Sequence, residues 1–285
     1  MTEAFLSQRV PAQAVIERLH QEMGSSARRG PLARLLGASP IPSHARSWYV
    51  GAVGEIAVAR VLSELPEGWL VLHSVPIGQR GSDIDHVLLS PEGRLLTLNT
   101  KHHPGGSVWV SPKAFYVNGH RVPYLRNSAH EAKRAAACLT RASGRHVEGE
   151  GLIVIAGAKK LTHRGAPGGV AVVTVAQLRR FLLRAQPSPR PRDATSDLMT
   201  AALRPSSWDT RTASGATPAP MDAPEQTRAS TPPLGPREAE AWFSHLRREV
   251  AVSRRRALGW TAGGVIAAPT AAIGAMLFLI GPFGL

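Results

Sequence analysis

The chain has 285 residues and a mass of 30.4 kDa, which accommodates one large domain or two small ones with additional segments. Hydrophobic residues make up 43% and charged residues 19%, so the chain can form a packed core and is not disordered throughout. The formal net charge of +14 favours nucleic acid or anionic lipid as a partner and argues against cationic partners. Cys138 is the single cysteine, which excludes an intramolecular disulfide and a zinc site built from several cysteines.

The first 47 residues carry a net charge of +3 and no apolar leader, so we expect no signal peptide. Val15, Leu19 and Met23 recur at helical spacing and predict one short helix at 12–23. No function follows from this N-terminal extension (1–47). The folded domain is expected at 48–186, where the net charge is +8 and the strand-like patterns are concentrated.

An amphipathic helix is predicted at 47–65, ending before Pro66. Glu55 falls beside its apolar face, near Gly51 and Gly54, whose small size permits close approach of another element. A carboxylate in this position is costly to bury unless it is paired or binds a cation, which indicates a functional acid. The alternative is an ordinary glutamate at the edge of the apolar stripe whose carboxylate reaches solvent.

Three strands are predicted next, at 69–76, 84–89 and 95–101. The sequence SPEGR at 90–94 predicts a tight hairpin in which Gly93 adopts the left-handed conformation. In that hairpin Ser90 pairs with Arg94, which fixes the register of the last two strands.

One face of this hairpin is expected to be polar. The register places Asp85 opposite Asn99 and Asp83 opposite Lys101, and all four side chains share a face because strand residues alternate. This set suits metal-assisted phosphodiester hydrolysis, in which carboxylates hold Mg²⁺ and a lysine orients the attacking water or stabilises the developing charge. Glu55 from the helix would complete the ligand set.

Four motifs of the chain, in this order, resemble the nuclease-related domain family, called NERD. They are GAVGE at 51–55, LPEGW at 65–69, DIDHV at 83–87 and TLNTKHH at 97–103. The similarity extends over about 48–186. The resemblance implies an α/β fold of the restriction-endonuclease-like superfamily, a mixed sheet flanked by helices with the catalytic pattern D…(D/E)-x-K.

The resemblance also implies roles for individual residues. Glu55 matches the helix acid, Asp85 the metal-binding aspartate and Lys101 the catalytic lysine. Asn99 stands where the superfamily usually has an acid, and its amide offers a metal a neutral oxygen without charge. The implied cofactor is Mg²⁺, with Mn²⁺ as a substitute, and the implied partner is nucleic acid, specifically DNA.

The remainder of the domain is predicted to be α/β. The expected elements are strands at 108–110, 115–117, 152–156 and 170–175 and helices at 127–141 and 176–185. His86 and His102 lie near the polar face as polar lining or phosphate contacts. A joint metal site of His102 and His103 is not expected, since neighbouring strand residues point to opposite faces.

Basic residues of the domain are candidates for a nucleic-acid groove. They are Arg121, Arg126, Lys133, Arg134 and Arg141. An equally simple interpretation is a solvated helix and loop surface.

The C-terminal third is predicted to tether the domain to the cell membrane. Residues 187–236 are rich in proline and are expected to be a disordered linker, and 237–256 are expected to form a basic helix that lies on the membrane surface or in solvent. Residues 257–285 contain no charged residue and directly follow Arg254–Arg256, which predicts a single transmembrane anchor with the domain cytoplasmic. Trp260 is the expected interfacial anchor, and anionic lipid headgroups are further expected partners.

Three functions remain open on the sequence. The first is a membrane-tethered, Mg²⁺-dependent nuclease, and the second is a nucleic-acid-binding module of the same fold that has lost catalysis. The amide at Asn99 favours the second. The third is a lipid-associated scaffold in which the positive charge serves the membrane.

Overall fold

The structure is a computed structural model. It describes the backbone of residues 6–24, 26, 29–77, 83–165, 167–184, 192–209 and 234–279, and their side chains except at 192–194 and 261–279. Within these ranges the chain has a mixed α/β fold, with two mixed sheets and helices packed on them.

The elements of the described residues follow in chain order. The helices are α1 (Gln13–Gly24), α2 (Pro31–Leu35), α3 (Arg46–Leu62), α4 (Tyr124–Ser143), α5 (Val175–Leu182), α6 (Arg192–Leu203) and α7 (Pro236–Leu279). The strands are β1 (Leu70–Pro76), β2 (Asp83–Leu89), β3 (Leu95–His102), β4 (Ser107–Val110), β5 (Phe115–Val117), β6 (His120–Val122), β7 (Gly149–Ala156), β8 (Lys160–His163) and β9 (Val170–Thr174). The elements predicted for 1–186 are confirmed, with boundaries that differ by at most three residues. The prediction of a single helix in 1–47 is wrong, because that segment also contains α2, which is too short to show a periodic pattern.

The main sheet has the strand order β1-β2-β3-β7-β9, antiparallel through β3 and parallel from β3 to β9. The predicted hairpin register is confirmed, because His86 pairs with Leu98 and the N–H of Ser90 donates to the carbonyl of Arg94 at 3.0 Å. The pairing of β2 with β3 ends at His86, however, so the predicted backbone partners of Asp83 and Asp85 are wrong.

A second sheet follows β3 and has the order β6-β5-β4-β8. Asn118 and Gly119 join β5 to β6 with φ values of 50° and 83°, the left-handed conformations that a two-residue hairpin turn requires. The sequence did not predict β6 and β8, because strands of three and four residues are too short to show an alternating pattern.

Helices cover both faces of the main sheet. On one face, Leu96 and Leu98 of β3 pack in a core with residues of α3 and α5. On the other face, Leu95 packs with Ala135 and Leu139 of α4. Odd-numbered residues of β3 therefore face α4 and even-numbered residues face α3.

The N-terminal extension and α7 form a third core with α3. Ala239, Phe243, Leu246 and Val250 of α7 are buried against residues of α1 and α3, including Ile16. The prediction that 237–256 lie on a membrane or in solvent is therefore wrong for this face of the helix. The cause is an apolar stripe at helical spacing that finds its partner in α1, more than 200 residues earlier in the chain.

The prediction of a disordered linker at 187–236 is wrong for part of that segment. Helix α6 and the 3-10 turn at Pro205–Trp208 pack on α4, and Leu198 and Trp208 are fully buried in the core beneath it. The indole N–H of Trp208 donates to the carbonyl of Ala202 at 2.9 Å. Residues 185–191 and 210–233 of the linker region lie outside the described residues.

The predicted membrane anchor at 257–285 falls mostly on residues whose side chains or placement the structure leaves undescribed. Helix α7 continues through this segment to Leu279. Among the residues that the structure describes, none of the helices combines the length and the apolar character of a membrane span.

Candidate active site

Helix α3 carries Glu55 into the interior of the domain. A Cβ atom at Gly54 would lie 2.8 Å from Cβ of His102, so the glycine lets the helix approach β3 closely. Glu55 is only 4% exposed. Burial raises the pKa of the Glu55 carboxyl well above its usual range, the charges of Asp85 and Asp83 raise it further, and the charge of Lys101 opposes the rise.

Asp85 lies on β2 next to His86, which is the last residue at that end of β2 that pairs with β3. Its Oδ2 accepts a hydrogen bond of 2.6 Å from the backbone N–H of Thr100. Burial raises the pKa of Asp85 to about 6, against the opposing effects of the Lys101 charge and the Thr100 hydrogen bond. This carboxyl changes its charge just below neutral pH.

Lys101 connects the two acids electrostatically, since its charge lowers the pKa of both the Glu55 and the Asp85 carboxyls. Its Nζ lies 5.2 Å from the ring centroid of Tyr124, the first residue of α4. The face of an aromatic ring attracts a cation, so this contact helps to hold the ammonium group in place. The charge of the predicted lysine therefore acts on both predicted acids.

Asn99 also faces α4, where it meets a residue that the sequence analysis missed. Nδ2 of Asn99 donates to Oε2 of Glu131 at 2.8 Å, and the Glu131 charge is close enough to Asp85 to raise the pKa of that carboxyl. Oδ1 of Asn99 is buried without a hydrogen-bond partner. Glu131 lies four residues before the buried Ala135 in the predicted helix, and this acid on the buried face was the available signal.

These residues fit a divalent cation in their donor chemistry. Across the described ranges, no three His, Cys, Asp or Glu side chains are close enough together to form a ready metal cage. Mg²⁺ does not need such a cage, because it usually keeps several waters and binds through one or two carboxylates. Asp85 offers a carboxylate, and the unpartnered Oδ1 of Asn99 offers the hard oxygen that such an ion prefers.

Residues 50–156 match the family model of the nuclease-related domain, NERD. This range contains Glu55, Asp85, Asn99, Lys101 and Glu131. Residues 50–156 are a nuclease-related domain. No curated protein and no solved structure matches the chain significantly.

The two histidine candidates, His86 and His102, make internal contacts. Nδ1 of His86 lies 2.8 Å from Nδ1 of His73 on β1, and His86 is fully buried. Nδ1 of His102 donates to the carbonyl of Val50 at 2.7 Å on the α3 side of the sheet. His103 instead stacks on Tyr124 on the α4 side, which confirms that the two neighbouring histidines face opposite ways.

The basic candidates of the nuclease-related domain fall into separate groups. Arg121 and Arg126 line a cavity of about 380 Å³ together with Lys113. Lys133 and Arg141 line another cavity, of about 620 Å³.

Three of the five basic candidates also bind backbone carbonyls. Arg134 donates to Ile77 at 3.0 Å, Arg141 to Asp209 at 2.9 Å, and Arg121 to Lys113 at 3.4 Å. Those three guanidinium groups have a structural role in addition to any contact with phosphate.

Proposed function

We propose that the nuclease-related domain hydrolyses phosphodiester bonds of DNA with a divalent metal ion, Mg²⁺ or Mn²⁺. The observation that carries this proposal is the position of Lys101, whose charge acts on Asp85 and Glu55 together inside a matched nuclease-related domain. Two acids and a lysine at one site, together with a metal ion, can position a water molecule and activate it for attack on the phosphorus atom.

Each residue has a distinct part in this proposal. Asp85 and Oδ1 of Asn99 would hold the metal ion, which when bound polarises the phosphate and acidifies a water. Lys101 lies over the ring of Tyr124, where its ammonium group orients the attacking water or stabilises the developing negative charge. Burial raises the pKa of the Glu55 carboxyl, and this group becomes a further anionic ligand when its proton leaves.

The test is a plasmid-nicking assay with the full chain in Mg²⁺, Mn²⁺ or EDTA. Lys101→Met and Asp85→Asn are expected to abolish metal-dependent nicking. The matched controls are Lys159→Met and Asp197→Asn, at two exposed positions, and both are expected to nick as the wild type does. DNA binding without any nicking would favour the binding module, and the absence of both would overturn the nuclease and leave the lipid-associated scaffold.

The outer face of the second sheet supports nucleic acid as the partner. The strand register places Arg121, Tyr116, Trp109 and Thr162 in one row across β6, β5, β4 and β8. Trp109 is 37% exposed, and its ring meets that of Tyr116 at 5.3 Å. Exposed aromatic rings beside basic side chains are typical of surfaces on which bases of single strands stack.

A membrane location of the protein rests on a different observation. Five large apolar side chains are each at least half exposed. They are Leu32, Leu35 and Leu36 in and beside α2, and Leu258 and Trp260 of α7. The indole N–H of Trp260 donates to the carbonyl of Leu35 at 3.0 Å, so the two groups form one apolar patch, which lies beside Arg254–Arg256. An exposed apolar patch flanked by arginines suits an anionic membrane surface, and the uncharged 257–285 begins at the same place.

The membrane proposal is tested by vesicle flotation, with neutral and anionic phosphatidylglycerol-containing vesicles. The full chain is expected to float with anionic vesicles, and a chain ending at Trp260 is expected to float less. Leu32→Ser with Leu36→Ser should weaken binding further, whereas Leu183→Ser, an exposed leucine elsewhere, should not. Equal sedimentation of all proteins without flotation would overturn the membrane location.

A further inference from the structure

We propose that Glu131 supplies to the divalent metal ion the negative charge that Asn99 lacks, with Asp85 and Oδ1 of Asn99 as its companions. This inference rests on the proposed metal-dependent function and names a residue that the family pattern D…(D/E)-x-K does not include. The acid would come from helix α4 instead of strand β3.

The first step is the orientation of the Asn99 amide. Its nitrogen must face Glu131, since an amide oxygen placed 2.8 Å from a carboxylate oxygen would be repelled. The amide oxygen is then the atom of Asn99 that remains free to bind a ligand. The carboxylate of Glu131 thus fixes which atom of Asn99 is offered to a ligand.

The second step is the state of that oxygen. Asn99 is only 9% exposed, and its Oδ1 has no hydrogen-bond partner. Burying an acceptor without a partner is unfavourable, so this oxygen is open to a partner that the side chains around it do not provide. A cation is the partner that also matches the two nearby carboxylates of Asp85 and Glu131.

The third step is the fit between helix and strand. Tyr124 and Glu131 are seven residues apart and so lie two turns from each other on one face of α4. Tyr124 contacts Lys101 and Glu131 contacts Asn99, and these two partners are neighbours on one face of β3. Ser128 lies between Tyr124 and Glu131 and is fully buried, packed so tightly that a Cβ at Gly151 would lie 2.6 Å from its Oγ. The close packing holds the Glu131 carboxylate at a fixed place beside Asn99.

The acid of this site therefore lies on helix α4 instead of strand β3. The strand carries the amide of Asn99 and the helix carries the carboxylate of Glu131, whereas the family pattern has the carboxylate on the strand. Restoring the strand acid alone would press two carboxylates together at hydrogen-bond distance. Changing both residues moves the carboxylate from the helix to the strand, keeps the net charge of the site and avoids that repulsion.

The experiment measures Mn²⁺ and Mg²⁺ binding to the full chain by calorimetry and by the metal-dependent shift in melting temperature. Glu131→Gln is expected to weaken Mn²⁺ binding by at least about tenfold. The double variant Asn99→Glu with Glu131→Gln is expected to bind Mn²⁺ within about threefold of the wild type, whereas Asn99→Glu alone is expected to melt at a lower temperature without metal. Glu148→Gln, at an exposed position, is the control and should bind as the wild type does.

The outcomes separate this inference from the proposed function. If the wild type binds Mn²⁺, Asp85→Asn abolishes binding and Glu131→Gln leaves it unchanged, then Glu131 has only a structural role and this inference alone is overturned. If the wild type binds neither metal, both proposals are overturned. Because the double variant must recover what Glu131→Gln loses, simple misfolding of the single variant cannot imitate the expected result.

Discussion

The backbone N–H of Thr100 donates to Oδ2 of Asp85 at 2.6 Å, at the place where the backbone pairing of β2 and β3 has just ended. A side chain thus takes over the hydrogen bond that a strand partner would otherwise make. The acid satisfies a donor of β3 and at the same time stands apart from that strand. This arrangement makes Asp85 both a structural residue and a candidate metal ligand.

The first prediction separates these two properties of Asp85. Asp85→Asn keeps an acceptor for the N–H of Thr100 and removes the negative charge of the carboxyl. Burial raises the pKa of that carboxyl to about 6. At pH 8 in EDTA we expect Asp85→Asn to raise the free energy of unfolding by roughly 1 to 2 kcal/mol, since each pKa unit corresponds to about 1.36 kcal/mol and the buried amide has its own cost. Asp85→Ala should be less stable than Asp85→Asn by about 1–3 kcal/mol, because the N–H of Thr100 loses its acceptor. Urea unfolding of both variants measures the difference, and equal stabilities would contradict the structural role.

The second prediction concerns His73 and His86, whose Nδ1 atoms share one hydrogen bond. Burial lowers the pKa of His73 to about 4 and that of His86 well below its usual range. Between pH 6.5 and 4 the unfolded chain therefore binds protons that the folded histidines exclude, so this pair contributes stability above pH 6.5 that is lost as the pH falls. The raised pKa values of Asp85 and Glu55 act in the opposite direction, so only a comparison of variants isolates the pair.

His73→Gln is expected to weaken the dependence of stability on pH below 6.5, by up to roughly 1.4 kcal/mol for each pH unit. The measurement is the free energy of unfolding from pH 8 to pH 5, with His44→Gln as the control at an exposed site. A parallel loss of stability in His73→Gln and the wild type would show that the pair does not titrate on unfolding.

The sequence alone was sufficient to predict the hairpin of β2 and β3 and the alternation of side chains between the two faces of β3. The turn SPEGR fixes the register locally, so Asn99 and Lys101 were placed correctly on one face. Glu131 was missed because its contact with Asn99 joins residues 32 apart and depends on how α4 lies across the sheet. The same limit applies to α7, whose apolar stripe is readable but whose partner α1 lies at the other end of the chain.

The third prediction tests whether α7 is part of the folded protein. Phe243 is buried between α1 and α3, and its ring lies 5.6 Å from that of Tyr49. Phe243→Ala is expected to lower the free energy of unfolding by about 3–5 kcal/mol, the usual range for a buried phenylalanine. Val252→Ala, at an exposed position of the same helix, should change it by less than about 0.5 kcal/mol. Equal melting temperatures for both variants would mean that α7 does not pack on the domain in solution.

The fourth prediction distinguishes stacking from phosphate contact on the outer face of the second sheet. Trp109→Ala is expected to weaken binding of single-stranded DNA by about 1–3 kcal/mol while leaving the salt dependence unchanged, because a base stacks on a ring without releasing counterions. Arg121→Ala is expected to lower the slope of log K against log salt by about 0.7, the value for one phosphate contact on a single strand. Trp48→Ala is the matched control, since Trp48 on α3 has the same 37% exposure as Trp109. Fluorescence anisotropy over a salt series gives both quantities, and a loss of affinity in Trp48→Ala equal to that in Trp109→Ala would refute the role of this sheet face.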